Sequence, residues 1–189
     1  MFMLRHEPGV MGLSDFTKLK GMEITINGKT FEHLIYHYRL AYSGWQTAQI
    51  IQGGESFTAL SEGLQNALAA SGGTPKEHRT DSLSAAYRNS GGHRTKELTR
   101  FYDDLCEHYR MVPTRNNKGK ANENGSVESP HGHLKNRIKQ AIYLRGSSDF
   151  ASIAEYQAVI DQAAGGLNRQ CEAKYEAEKA VLQPLPRRR

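Results

Sequence analysis

Three carboxylates sit where the chain passes from one element to the next: Asp15 and Asp81 close short extended runs, and Glu128 opens a helical pattern. Neighbouring strand tips of an α/β sheet converge on one edge, so two such aspartates and a glutamate on a helix crossing that edge can form one group. Like charges a few ångströms apart do not both stay ionised without a cation between them. Mg²⁺ or Mn²⁺ takes hard oxygen ligands and keeps some waters, so three carboxylates can hold two ions about 4 Å apart and leave room for phosphate oxygens. One ion would sharpen a water or a 3′-hydroxyl as nucleophile, and the other would stabilise the leaving oxygen. Each residue also has a purely structural reading: Asp15 as N-cap of a helix over FTKLKG, Asp81 as N-cap of one over SLSAAYRN, and Glu128 as a first-turn glutamate favoured by the helix dipole.

The elements that must position these residues show in the periodicity. GVMGLSDFTKL, residues 9–19, reads as a buried strand with Asp15 at its polar tip. Leu34, Tyr36, Tyr38 and Leu40 alternate with His33, Ile35, His37 and Arg39, which is strand spacing. Asn27-Gly28 signals a hairpin between MEITI and KTFEHL, and Ser43-Gly44 precedes the strand-like WQTAQII, so a meander of antiparallel strands is expected. Phe57, Leu60, Leu64, Ala67 and Leu68 then recur at helical spacing up to Gly72-Gly73 and Pro75, predicting a helix over 56–70. EHRTD reads as a short strand ending at Asp81. Leu98, Phe101, Leu105 and Tyr109 mark a second helix, MVPTR an extended piece, and NNKGKANENGS a loop. Leu134, Ile138 and Ile142 mark a helix from about Ser126 or Val127 to Leu144. The remainder is helical with a break expected at Gly165-Gly166, and PLPRRR is a tail. The order is that of a mixed α/β fold.

Charge is concentrated in one place. The net charge is +5, yet residues 110–145 alone hold eight Lys and Arg against Glu123 and Glu128, so the remainder is close to neutral. Such a stretch suits a phosphate-binding face or a solvated helix. Lys135 and Lys139 follow Glu128 near multiples of the helical repeat and should share its face. Asn116, Asn117, Lys118 and Lys120, beside Arg115, lie on the polar loop, where donors can grip phosphates. His131 follows Glu128 by three residues and can approach the metal or a phosphate, whereas His133 lies about 200° round a helix from it. His33 and His37 lack a carboxylate or cysteine pattern for zinc. Cys106 and Cys171 form no CxxC or CxxH pair and are expected to be reduced. Trp45 and the strand tyrosines read as core. No window supplies the roughly 18 apolar residues of a membrane span, and charge and proline interrupt MFMLRHEPG, so a cytoplasmic location is expected.

GLSDFT around Asp15, YHYRLAYSGW at 36–45, GGESFTALSEGLQNAL at 53–68, EHRTDSLSAAYRN at 77–89 and NNKGKANENGSVESPHGHLKNRIKQAIYLRGSSDF at 116–150 resemble bacterial insertion-sequence transposases of the IstA type. The block Asn124, Gly125, Val127, Glu128 and His131 is similar to the end of the integrase core of retroviral-integrase-like enzymes. The resemblance implies an RNase H-like fold, with a five-stranded mixed sheet whose first three strands are antiparallel, flanked by helices. It would occupy residues 1–150, with a helical C-terminal extension and basic tail over 151–189. It also implies Asp15, Asp81 and Glu128 as the catalytic, metal-binding set, ahead of the nearby Glu123. The activity implied is Mg²⁺- or Mn²⁺-supported DNA cleavage at transposon ends followed by strand transfer.

Members of that family are longer, with a helix-turn-helix region before the core and a small β-barrel region after it. The expectation for this chain is a core without either. Implied partners are transposon-end and target DNA, an ATPase helper and further copies of the chain, with no membrane. A second expectation is a truncated, non-catalytic DNA-binding or interaction module, which would need the basic segment and not the carboxylates.

Overall fold

The computed structural model describes residues 5–80, 92–114 and 130–189, with the backbone alone for residues 92–96, 130 and 131. Strand β1 (Met11–Thr17) pairs antiparallel with β4 (Leu34–Leu40), and β4 with β5 (Gln46–Ile51). On its other side β1 pairs in parallel with β6 (Glu77–Thr80), which pairs in parallel with β7 (Val112–Thr114). The result is a five-stranded mixed sheet in the order β5-β4-β1-β6-β7. Its first three strands are antiparallel, as expected.

The Asn27-Gly28 turn forms, with φ of 50° and 77°, but outside this meander. Its strands, β2 (Thr25–Ile26) and β3 (Lys29–Thr30), belong to a separate three-stranded sheet with β8 (Asp149–Phe150). The Asp149 carboxylate accepts from the Thr25 hydroxyl at 2.6 Å and from the Gly28 amide at 2.7 Å. A strongly local turn signal thus fixed the hairpin, while its placement came from a residue more than a hundred positions away.

Helices α1 (Phe57–Ser71) and α2 (Gly92–His108) cover one sheet face. The Ser56 hydroxyl caps α1 and Gly72, at φ 79°, ends it. On this face Phe16, Tyr36, Tyr38 and Leu40 pack against Leu60, Leu64 and Leu68 of α1 and Tyr102, Leu105 and Cys106 of α2. The buried stripe of α2 is Tyr102, Leu105 and Cys106, continued by Tyr109. Phe101, expected within the stripe, lies at its rim, half exposed against the Phe57 ring. Gly63 permits close approach, since a Cβ there would stand 2.6 Å from the Tyr36 ring.

Helices α3 (Pro130–Arg145) and α4 (Ile153–Gln170) cover the other face. Leu134, Ile138 and Ile142 of α3 and Tyr156, Ile160, Ala163 and Ala164 of α4 enclose Ile35, Ala48 and Ile50 of the sheet. Strand β4 is therefore buried on both faces. The break expected at Gly165-Gly166 does not occur: α4 runs through to Gln170, and α5 (Glu172–Lys179) starts after Cys171. Added Cβ atoms at the two glycines would meet only the guanidinium ends of Arg137 and Arg169, at 3.5 Å or more. Packing on the sheet outweighs the roughly 1 kcal/mol per residue by which glycine disfavours a helix.

The C-terminal residues dock on the core instead of trailing from it. Buried Glu178 accepts from the amides of Gly9 and Ser43, at 2.8 and 3.2 Å. Gln183 bridges Thr74 through the backbone, and Arg188 donates to the Asn66 side chain at 2.6 Å. Neither Cys106 nor Cys171 is in a disulfide. Among the described residues no helix is long and apolar enough to cross a membrane.

Candidate functional site

Asp15 lies in the central strand, two residues before its end, so its reading as N-cap of a helix over FTKLKG is excluded. Strand residues alternate in direction. Gly12, Ser14 and Phe16 turn toward α1 and α2, whereas Asp15 pairs with His37 on the α3–α4 side. One Asp15 carboxylate oxygen accepts from the Phe16 amide at 2.9 Å. Glu55, in the loop between β5 and α1, lies near enough that its carboxyl is pushed above the usual range, first by partial desolvation and then by the Asp15 charge; Lys18 opposes that shift. Sequence reasoning missed Glu55 because its loop gives no spacing signal that links it to the β1 tip.

The parallel ladder between β1 and β6 runs from Met11 with Glu77 to Ser14 with Thr80. Asp81 follows Thr80 in sequence and lies outside the described residues, as do Glu123 and Glu128. Helix α3, which the sequence enters two residues after Glu128, packs on the Asp15 face of the sheet. Among the described residues no three His, Cys, Asp or Glu side chains converge as a metal-holding group.

Lysines gather on the same side of the molecule. The Lys139 ammonium donates to the Lys20 carbonyl at 2.5 Å. Partial burial and the positive charges of Lys20 and Lys139 together lower the Lys135 ammonium below its ordinary range. Lys135 and Lys139, one helical turn apart, thus form a basic cluster with Lys20. Lys20 was not singled out from the sequence, although SDFTKLKG carries it just beyond the β1 tip. Arg115, Asn116, Asn117, Lys118 and Lys120 fall outside the described residues, as does the side chain of His131; His133 is exposed. His33 and His37 have structural partners. His33 bridges the Phe31 carbonyl and the Tyr156 hydroxyl, and His37 meets the Gln46 side chain at 2.7 Å.

Directly beneath Asp15, on the opposite sheet face, a buried polar chain crosses three elements. Ser14 Oγ stands 2.8 Å from His78 Nε2, and His78 Nδ1 stands 2.6 Å from the Tyr102 hydroxyl. Tyr102 also donates to the His78 carbonyl at 3.3 Å. With the ring proton on Nδ1, Ser14 donates to Nε2, Nδ1–H donates to Tyr102, and Tyr102 donates to the carbonyl, so every donor is satisfied. Burial pushes the His78 imidazole down to about 3, so it is neutral near pH 7. Neither Ser14 nor His78 belongs to a spacing pattern that sequence inspection can single out.

No family model matches the chain. It is 52% identical over all 189 residues to an uncharacterized protein of Sinorhizobium fredii, spanning 38% of that relative's length. Among solved structures it is similar to the HTLV-2 integrase catalytic core in complex with magnesium, with a TM-score of 0.55 and 15% identity over 86% of each chain. It is similar to a chain of the simian T-cell lymphotropic virus intasome solved with a PP2A regulatory subunit, with a TM-score of 0.61 and 15% identity over 96% of this chain and 59% of that one. The catalytic core of BIV integrase gives a TM-score of 0.52 at 18% identity over 89% and 96% of the two chains. The chain has the RNase H-like α/β fold of integrase catalytic cores, a five-stranded mixed sheet flanked by helices.

Proposed function

We propose that the chain is the catalytic core of a transposase of the IstA insertion-sequence type, performing divalent-metal-dependent DNA cleavage and strand transfer with Asp15, Asp81 and Glu128. The observation that carries this reading is the β1–β6 register. The last pair among the described residues is Ser14 with Thr80, and the next residue on each segment is an aspartate. Adjacent strands lie about 4.8 Å apart, so a register continued by one residue would bring two carboxylates side by side. That spacing favours a cation between them. The packing of α3 on the Asp15 face supports Glu128 as the third member.

Carboxylate oxygens suit Mg²⁺ or Mn²⁺. Bound there, the ions would supply a sharpened nucleophile and neutralise charge in an in-line displacement. The chain's own work is positioning: the central strand holds Asp15, and Lys20, Lys135 and Lys139 supply cations for the DNA backbone. Arg115, Asn116, Asn117, Lys118, Lys120 and His131 would extend that contact. Transposon-end and target DNA, further copies of the chain and an ATPase helper are the partners this reading implies.

Titrating Mn²⁺ against thermal stability tests it, comparing the wild type with Asp15→Asn, Asp81→Asn and Glu128→Gln. Ligand at a hundred times its Kd stabilises a fold by about 2.7 kcal/mol, and each variant should lose that gain. A strand-transfer assay on short duplexes should fail in the same three. If all four proteins respond alike to Mn²⁺, the metal-dependent reading is wrong. The lysine cluster, which needs no carboxylate, favours a second reading as a non-catalytic DNA-binding module. Salt-sensitive DNA binding unchanged by Asp81→Asn, together with no metal response, would decide for it.

A further inference from the structure

We infer that the guanidinium groups of Arg137 and Arg169 form a clamp for one backbone phosphate of DNA, on the flank of α3 away from the lysine cluster. The inference rests on the DNA-handling reading proposed above. Arg137 lies two positions from both Lys135 and Lys139, about 200° round α3, so it leaves the buried stripe of Leu134, Ile138 and Ile142 on the opposite flank. There it meets α4. A Cβ on Gly166 would stand 3.5 Å from Arg137 Nη1 and 3.6 Å from Arg169 Nη2, and one on Gly165 would stand 3.8 Å from Arg169 Nη1. Two guanidiniums from different helices therefore converge over one turn of α4.

The chain itself does not neutralise them. Among the described residues neither guanidinium takes part in a hydrogen bond or an ion pair. Asp161 and Glu172, the acids that flank this stretch in sequence, pair with neither, and the Asp161 carboxylate accepts from the Gln157 amide at 2.8 Å. Like charges brought together without an acid between them repel, and an anion relieves that repulsion. The planar guanidinium matches the oxygens of a phosphate, two parallel N–H bonds at a time. Glycine disfavours a helix, yet no contact of the chain needs the missing side chains at residues 165 and 166. Their absence leaves the ground between the two forks clear for a ligand to approach. A carboxylate of an acidic protein segment is the competing ligand, and the distribution of charge favours DNA over it. Helix α3 carries lysines on one flank and the arginine clamp on the other, about 10–12 Å apart across a helix. A duplex offers a charge about every 1.7 Å along its axis and can meet both flanks at once.

Fluorescence anisotropy of a short duplex of arbitrary sequence across a salt series tests the clamp, with the wild type, Arg137→Gln, Arg169→Gln, the double variant, Gly166→Glu and Lys139→Gln. Each arginine variant should bind about eightfold more weakly at 0.1 M salt, with a salt slope smaller by about 0.9. The double variant should lose no more than either, because both forks hold one phosphate. Gly166→Glu brings a carboxylate to the pair and should weaken DNA binding equally while melting above the wild type. Unchanged affinity and slope in both arginine variants, with Lys139→Gln weakened, would overturn the inference and leave the DNA reading intact. Arginine variants that lose a polyglutamate peptide or inorganic phosphate but keep DNA would overturn it as well. Losses confined to one arginine, or adding in the double variant, would show that the two do not share a phosphate. A wild type without salt-sensitive DNA binding would overturn the DNA reading and the clamp with it.

Discussion

At the scale of single residues, His78 couples the core to pH. Its imidazole is fully buried and neutral, held down to about 3 against an ordinary value of 6.5. The unfolded chain therefore binds a proton between those two values that the folded chain refuses, and acid in that window favours unfolding. Half-buried His33, also lowered, acts in the same direction. Asp149 and Glu155, which their hydrogen bonds hold below the carboxylate range, contribute only at lower pH. Denaturant titrations should show about 2 kcal/mol lost between pH 7 and pH 5 from His78 alone. A stability that is flat over that interval would mean that His78 is accessible to protons in the native state. Residue by residue, the sequence disclosed groups whose neighbours in the chain carry the meaning. Asp15 at a polar break in an apolar run is one, and Leu134, Ile138 and Ile142 at helical spacing are others. It was silent on His78 and Glu55, whose partners are brought near only by the sheet and by a loop closing over it.

At the scale of elements, the edge of the sheet shows why helix α4 could not be read correctly in isolation. Strand β5 is an edge strand with outward-facing backbone groups, which invite pairing with another chain. Two side-chain amides of α4 occupy them. Asn168 accepts from the Gln46 amide at 2.8 Å and donates to its carbonyl at 2.7 Å. Gln157 accepts from the Ile50 amide and donates to the Ala48 carbonyl, both at 2.9 Å. A helix broken at Gly165-Gly166 would carry Asn168 away from the strand, so this contact holds the helix continuous through two poor helix formers. The glycine signal was local and the opposing contact was more than a hundred residues distant. Replacing Asn168 by Ala should cost about 2 kcal/mol, because both Gln46 backbone groups lose their partner in a site only 6% exposed. Chemical denaturation of Asn168→Ala beside the wild type measures it. A change below about 0.5 kcal/mol would show that water replaces the amide there and that the capping is incidental.

At the scale of the whole molecule, the question is whether residues 151–189 form an extension of a core over residues 1–150 or part of that core. On the α3–α4 side the two stretches pack together. Tyr156 and Ile160 are both 0% exposed and lie in one cluster with Ile35 and Ile50 of the sheet and Leu134 and Ile138 of α3. Burying each such side chain is worth about 1.5–3 kcal/mol, and a domain of this size has only about 5–15 kcal/mol in all. Removing α4 would expose β4 on a face it now buries and uncover the backbone of β5 that Asn168 and Gln157 hold. On the α1–α2 side, Tyr175 of α5 stacks on Trp45 at 5.3 Å, and Glu178 ties the amides of Gly9 and Ser43. Residues after 150 thus pack against both sheet faces, and we propose that they belong to one folding unit with the core that the resemblance places over residues 1–150. A fragment of residues 1–150 should show no cooperative thermal transition and should bind a dye that reports exposed apolar surface, whereas the 189-residue chain should melt in a single step. A fragment that melts cooperatively with native near-ultraviolet dichroism would place the whole folding unit before α4 and reduce the C-terminal helices to a cover.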